Sequence, residues 1–271
     1  MNNEIVKVKP FLKWAGGKRW FVANHDHLLF EGYDRYIEPF LGAGAVFFHE
    51  NPKSALLSDI NLELIEAYQS IRNRWRQVIT LLEEHQVNHC KEYYYHMRSA
   101  TLSTKIERAA RFIYLNRTCW NGLYRVNLKG EFNVPIGTKN TVLFPDENFS
   151  AISKVLKNAK ITNNDFESSI DNAGLGDFLF IDPPYTVKHN NNGFVKYNEK
   201  IFTWYDQERL FYALQRAKKR GASIVVTNAN HESISSLYKT GFEKIEVRRA
   251  STISGKAIHR AKYDELVMIS R

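Results

Sequence analysis

The segment Phe178-Leu179-Phe180-Ile181-Asp182-Pro183-Pro184-Tyr185 joins four apolar residues to a carboxylate, two prolines and a phenol. The apolar run reads as a buried strand, and Asp182 falls at its carboxyl end, where parallel sheets bind their ligands. Pro183 and Pro184 fix φ twice in succession, and Pro183 also confines Asp182 to an extended backbone. The product is a rigid loop displaying a carboxylate, backbone carbonyls and an aromatic ring. Such a loop suits an amino group conjugated to a heterocycle, as in adenine, whose delocalised lone pair makes it a poor nucleophile. Asp182 and the Pro183 carbonyl, as two acceptors, would hold both N–H bonds, favour a pyramidal nitrogen and aim its lone pair at a sulfonium methyl. Tyr185 would stack on the base. The chemistry is positioning and electrostatics, as expected when the donor is already activated. A purely structural role leaves two prolines and a tyrosine in sequence without a reason.

A second constellation is Glu38-Pro39-Phe40-Leu41-Gly42-Ala43-Gly44, where a first strand gives way to a helix. Missing side chains at Gly42 and Gly44 let a ligand approach the backbone, and Phe40 stands beside them as an aromatic contact. Asp59 ends the next apolar strand, where a carboxylate accepts ribose hydroxyls. Phe47 occupies the place of a third dinucleotide-loop glycine, which favours a nucleoside cofactor without a pyrophosphate. A plain turn at Gly42 and Gly44, with Asp59 capping a helix, is the competing reading. Near the start, Trp14-Ala15-Gly16-Gly17-Lys18 allows close folding over a bound group, with Lys18 meeting a carboxylate such as the methionyl one of S-adenosylmethionine. Trp14 reads either as a core or lid aromatic or as a cofactor contact. The stretch is not a Walker loop, so phosphate transfer loses its best support. Asp165 and Phe166, after a third strand, are placed to bind and stack on a cofactor adenine.

These groups need a scaffold, and the apolar patterning supplies one. Strands are expected at 35–41, 54–57, 159–163, 178–181 and 222–227, with helices at 61–82, 105–115 and 204–219. Strands near 242–249 and 264–269 should form an antiparallel edge. This βα rhythm implies an α/β fold around a mostly parallel sheet covered on both faces. The interval from Asp59 to Lys160 is too long for one crossover, so a second lobe at 62–150 is expected, inserted between catalytic segments 1–61 and 151–271. No internal repeat interrupts the pattern.

Composition narrows the partners. The 271 residues are 44% hydrophobic and 25% charged, an ordinary globular balance, with a net charge of +9 that attracts polyanions. No run is long and apolar enough for a membrane helix or signal peptide, so a cytoplasmic location is expected. Cys90 and Cys119 are too few for a disulfide framework or a zinc site, and both read as free thiols; no metal is called for.

Within the inserted lobe, Thr118 to Asn140 is rich in Asn and Gly, with alternation on either side of Lys129-Gly130 that predicts a hairpin. Asn116, Arg117, Trp120, Asn121, Arg125, Lys129, Asn133 and Lys139 are the candidate DNA contacts along it. Arg suits guanine, Asn suits adenine, and Lys or Arg serves phosphates; a solvated surface is the alternative. Arg248, Arg249, Lys256, His259, Arg260 and Lys262 form a basic C-terminal stretch suited to a backbone contact or a solvated loop. Asn190-Asn191-Asn192-Gly193 reads as a mobile loop able to exclude water.

The pieces FLKWAGGK (11–18), EPFLGAGAVF (38–47), SDIN (58–61), LNRTCWNGLYRVNLKGEFNVPIG (115–137), DPPY (182–185) and KYDEL (262–266) together resemble the Dam-like DNA adenine-N6 methyltransferases. DPPY is shared with other amino methyltransferases, including cytosine-N4 enzymes, whereas the 115–137 segment is much more specific. The resemblance implies a Rossmann-like methyltransferase sheet with an inserted, mostly helical DNA-recognition domain containing a β-hairpin. It implies S-adenosylmethionine as cofactor, held by Trp14, Lys18, Asp59 and Asp182, with Asp165 and Phe166 on its adenine side. Double-stranded DNA is the implied partner, with Trp120 and Asn121 at the opened duplex. Lys13, Leu123, Arg125 and Pro135 match the base-reading positions, which makes GATC the expected target. Trp120 stands where the family often has tyrosine or phenylalanine. A cytosine-N4 methyltransferase and a catalytically silent DNA-binding module are the competing readings; no membrane or obligate protein partner is implied.

Overall fold

The computed structural model describes residues 8–127, 129–187, 202–250 and 262–271. In chain order the elements are α1 (Arg19–Asn24), β1 (Arg35–Glu38), α2 (Ala45–Glu50), β2 (Ala55–Asp59), α3 (Leu62–Asn88), α4 (Lys91–Ser99), α5 (Lys105–Thr118) and α6 (Phe149–Leu156). There follow β3 (Ala159–Asn163), α7 (Phe166–Ile170), β4 (Asp177–Ile181), α8 (Trp204–Lys219), β5 (Ser223–Ala229), α9 (Glu232–Leu237), β6 (Glu243–Ala250) and β7 (Lys262–Ser270). The loop at 190–193 and the basic residues Lys256, His259 and Arg260 lie outside the described residues.

Seven strands form one sheet in the order β3-β2-β1-β4-β5-β7-β6. β1 pairs in parallel with β2 and β4, and β4 with β5, while β7 runs antiparallel to both β5 and β6. The expected mixed sheet with an antiparallel edge is therefore present. Every residue of β4 is buried, as the apolar run Phe178 to Ile181 requires for a central strand covered on both faces, and Asp177 at its start is paired with Arg35. β1 stops at Glu38 rather than at 41, because Pro39 has no N–H to continue a ladder.

By contact, the chain divides into two compact units. One holds Met1–Ala23, Leu41–Lys53 and Asp59–Asn163, the other Asn24–Phe40, Ser54–Ser58 and Asn164–Arg271. In the second unit a continuous core joins Ile37, Leu179, Ile181, Leu210, Leu214, Val226 and Met268. α8 begins at a capping box in which Thr203 and Asp206 exchange hydrogen bonds. In the first unit α3 and α5 pack together, tied by the Arg108–Glu66 and Arg111–Glu63 ion pairs. α3 is broken at Arg74, where φ is −142° and ψ 32°, and the Ser153 hydroxyl donates to the Arg72 carbonyl beside that break at 2.8 Å. No described helix is long and apolar enough to cross a membrane.

Candidate active site

In the second unit, Asp182 to Tyr185 leave the carboxyl end of β4, as the proline pattern predicts. Three neighbours anchor them. The Thr227 hydroxyl of β5 donates to Asp182 Oδ1 at 2.8 Å, Gln207 of α8 reaches the Pro184 carbonyl at 3.4 Å, and the Tyr185 hydroxyl donates to Glu265 Oε2 of β7 at 2.6 Å. Burial, reinforced by the charges of Asp182 and Glu265, pushes the Tyr185 phenol well above its usual pKa, so it remains a donor. The Pro183 carbonyl accepts no hydrogen bond among the described residues. Sequence reasoning missed Thr227, Gln207 and Glu265 as supports; an acid at the head of the apolar run Leu266 to Ile269 was the available signal for Glu265.

The same unit contains Phe40, Asp165 and Phe166. Phe40 and Phe166 stack with centroids 5.3 Å apart, and the Arg209 guanidinium lies over the Phe166 ring at 4.9 Å. Asp165 caps α7 through the Glu167 N–H and pairs with Arg209 at 2.9 Å. Asp165 is thus held in a fixed orientation, as the edge of an aromatic and cationic stack.

In the first unit the glycine loop takes the conformation its sequence demands. Gly42 and Gly44 have φ of 46° and 62°, a region closed to most other residues. The Trp14 indole lies so close that a Cβ on Gly42 would sit 2.8 Å from its Cδ1, and that indole also stacks on Tyr124 at 5.5 Å. Asp59 accepts the Gly42 N–H at 3.1 Å and the Asn61 N–H at 2.9 Å, one on each carboxylate oxygen. Burial pushes its carboxyl up to about 6, against the lowering effect of the Asn61, Gly42 and Ile60 hydrogen bonds. Lys18 is buried, its ammonium donating to the Gly16 carbonyl at 2.9 Å. A carboxylate offers about four acceptor positions, so Asp59 retains capacity for ribose hydroxyls and the donor set fits an aminoacyl nucleoside.

The hairpin expected after α5 is present in reduced form, as antiparallel bridges between Cys119 and Ile136 and between Val126 and Phe132. Trp120 and Asn121 sit on a 3₁₀ turn; Trp120 is 53% exposed, and Asn121 has a φ of 54°. Arg125 is exposed and bonded to Asn133 at 2.8 Å, while Pro135, also exposed, takes the Trp120 N–H at 2.9 Å. Leu123 is half-buried, and Lys139 is exposed. Burial, then the charge of Lys139, lowers the pKa of Lys13.

Two expected DNA contacts are corrected by their surroundings. Arg117 is 1% exposed; its guanidinium donates two hydrogen bonds to the Glu147 carboxylate, one to each oxygen, and further ones to the Phe11 and Val142 carbonyls. Asn116 is likewise buried, and its amide clamps the Lys13 backbone, accepting its N–H at 2.9 Å and donating to its carbonyl at 2.8 Å. Both support the segment around Lys13 from beneath and present no group outward. Cys119 and Cys90 are free thiols, and burial raises the Cys119 pKa to about 11, which leaves it unreactive.

The mixed, mostly parallel seven-stranded sheet is that of a Rossmann-like α/β methyltransferase fold. The profile of the D12 class N6 adenine-specific DNA methyltransferases matches residues 14–253. The chain is 37% identical over 273 residues to the type II methyltransferase M1.LlaDCHI of Lactococcus lactis subsp. cremoris, covering 97% of this chain and 95% of that one. It is 37% identical over 292 residues to the type II methyltransferase M.MjaIII of Methanocaldococcus jannaschii, covering 97% and 99%. It is also 31% identical over 268 residues to the DNA adenine methylase of Escherichia coli K12, covering 97% and 95%. The chain belongs to the D12 class of N6 adenine-specific DNA methyltransferases, for which S-adenosylmethionine is the methyl donor and DNA the substrate.

Proposed function

We propose that this enzyme methylates the adenine of GATC in duplex DNA after the base has been turned out of the helix. The observation that carries the reading is the anchored loop from Asp182 to Tyr185, whose carboxylate is oriented by Thr227 and whose ring is tied to Glu265. Asp182 and the Pro183 carbonyl accept the two N–H bonds of the target amino group, and Tyr185 stacks on the ring. Pinning both hydrogens directs the nitrogen lone pair out of conjugation, so the protein's contribution is made before the reaction begins. When bound, S-adenosylmethionine supplies a methyl group activated by its sulfonium. Asp59 holds the ribose hydroxyls, Lys18 the methionyl carboxylate, Trp14, Gly42 and Gly44 the face of the nucleoside, and Phe40, Asp165 and Phe166 its adenine.

Reaching an amino group inside a duplex costs a few kcal/mol of unstacking. Exposed Trp120 offsets part of that cost by stacking in the opened duplex beside Asn121. Lys13, Leu123, Arg125 and Pro135 read the bases, with Asn133 and Lys139 assisting. Residues 62–150 act as the recognition segment, and 1–61 with 151–271 as the catalytic segments. The test is transfer of labelled methyl to a GATC duplex and to a duplex with those bases permuted, followed by nucleoside analysis. N6-methyladenine confined to GATC is expected. Label at cytosine N4, or equal labelling of both duplexes, contradicts the proposal.

A further inference from the structure

β7 carries an acid in a setting that does not favour one. Glu265 is 3% exposed and lies in register with Ala229 of β5 and Val247 of β6. Burying a carboxylate is costly unless it is paired. Its Oε2 receives the Tyr185 hydroxyl at 2.6 Å, across 80 residues of sequence. A hydrogen bond to a charged acceptor is about twice as strong as a neutral one, and a phenol held at its tip cannot swing about its Cα–Cβ bond. Thr227 fixes Asp182 from the adjacent strand, so β5 and β7 together hold the two ends of the loop.

We propose that Glu265 is a positioning residue for methyl transfer, fixing the Tyr185 ring in the plane that receives the target base. This inference rests on the reading that residues Asp182 to Tyr185 hold the adenine. Glu265 touches no reacting atom; it acts through Tyr185, so its removal matters only while the Tyr185 hydroxyl is there to be held. Tyr185→Phe removes the donor of this interaction, and Glu265→Gln removes the charge that strengthens it, leaving only the weaker amide oxygen as acceptor.

The experiment is a double-mutant cycle on the full chain: wild type, Tyr185→Phe, Glu265→Gln and the double variant. Each is measured for single-turnover methylation of a GATC duplex, S-adenosylmethionine affinity and melting temperature. Glu265→Gln is expected to slow methylation about tenfold, since small misplacements of a positioned group are expensive, with cofactor affinity within about twofold. The double variant is expected to be no slower than the slower single variant. Rate losses that multiply, or a wild-type rate in Glu265→Gln, overturn the proposal. Should Glu265→Gln fail to fold, Glu265→Asp keeps the charge but withdraws it by one methylene, and carries the same expected rate loss and the same overturning result. Wild-type methylation by Asp182→Ala would instead overturn the acceptor-loop reading. Loss of methylation in Asp182→Ala together with multiplying Glu265 and Tyr185 effects overturns only the role of Glu265.

Discussion

The Trp14 indole fills the place where a side chain on Gly42 would begin: a Cβ there would stand 2.8 Å from Trp14 Cδ1 and 3.1 Å from Nε1. Gly42 is therefore required both for its positive φ of 46° and for the room it leaves. Gly42→Ala must displace the indole or abandon the turn. We expect a loss of about 1–3 kcal/mol of stability, with weaker S-adenosylmethionine binding, checked by thermal melting and calorimetric titration. Wild-type values for both would show that the loop tolerates a side chain.

With Asp59 as the proposed ribose acceptor, cofactor affinity is expected to depend on pH. Its carboxyl is held up at about 6, above its ordinary 3.8, so the folded chain favours the protonated form. The resulting stability is fully present below about pH 3.8 and is lost as pH rises through about 6. Asp59→Asn, neutral throughout, should therefore be more stable than wild type at pH 8 by up to about 3 kcal/mol, and the gap should close near pH 4. Cofactor affinity runs the other way. The ionised carboxylate is the better ribose acceptor, so wild-type affinity should rise between pH 5 and pH 8 while Asp59→Asn stays weak and flat. Melting curves and titrations at those pH values check both halves, and a parallel pH dependence in the variant would contradict the assignment.

Arg117 and Lys139 should separate stability from DNA binding. Removing one partner of a buried ion pair typically costs 3–5 kcal/mol, and Arg117 is paired with Glu147 inside the fold. Arg117→Ala is expected to lower the melting temperature sharply. Lys139→Ala, on an exposed residue, should leave the melting temperature unchanged and weaken DNA binding, with a shallower salt dependence. Fluorescence anisotropy across a salt series, beside thermal melting, reads both.

Trp120 offers a clean surface test, because it is 53% exposed and its removal disturbs little packing. A base-stacking contact is worth about 1–3 kcal/mol. Trp120→Ala should therefore weaken productive DNA binding roughly tenfold or more, while Trp120→Phe retains most of it. Equal affinity in all three proteins would remove Trp120 from the duplex.

The central strands and α8 were legible because their signals are local: an unbroken apolar run from Phe178 to Ile181 in β4, and helical periodicity over 204–219. The helix expected at 61–82 continues to Asn88 because His85 serves as a core residue. It stacks on Tyr114 at 4.8 Å, and burial lowers its pKa to about 4. An apolar pattern does not register a neutral histidine. α4 and α6 escaped notice for a related reason, since helices of nine and eight residues are held by tertiary packing rather than by propensity.

The place of the loop from Asp182 to Tyr185 at the end of β4 was legible from its prolines and the apolar run before them, but its supports were not. Thr227 and Glu265 lie 45 and 80 residues from their partners, and nothing local identifies those partners. Arg117 misled for the same reason. An arginine among asparagines and glycines reads as a DNA contact until Glu147, 30 residues later, is found to hold it.

The most direct test of the account is the single-turnover rate of methyl transfer to a GATC duplex by Asp182→Ala, measured at saturating S-adenosylmethionine beside wild type. Loss of one preorganised hydrogen-bonding group at the reacting centre should slow the reaction at least about 10²–10³-fold, while the melting temperature confirms a folded protein. A folded Asp182→Ala protein that methylates adenine at the wild-type rate would contradict it.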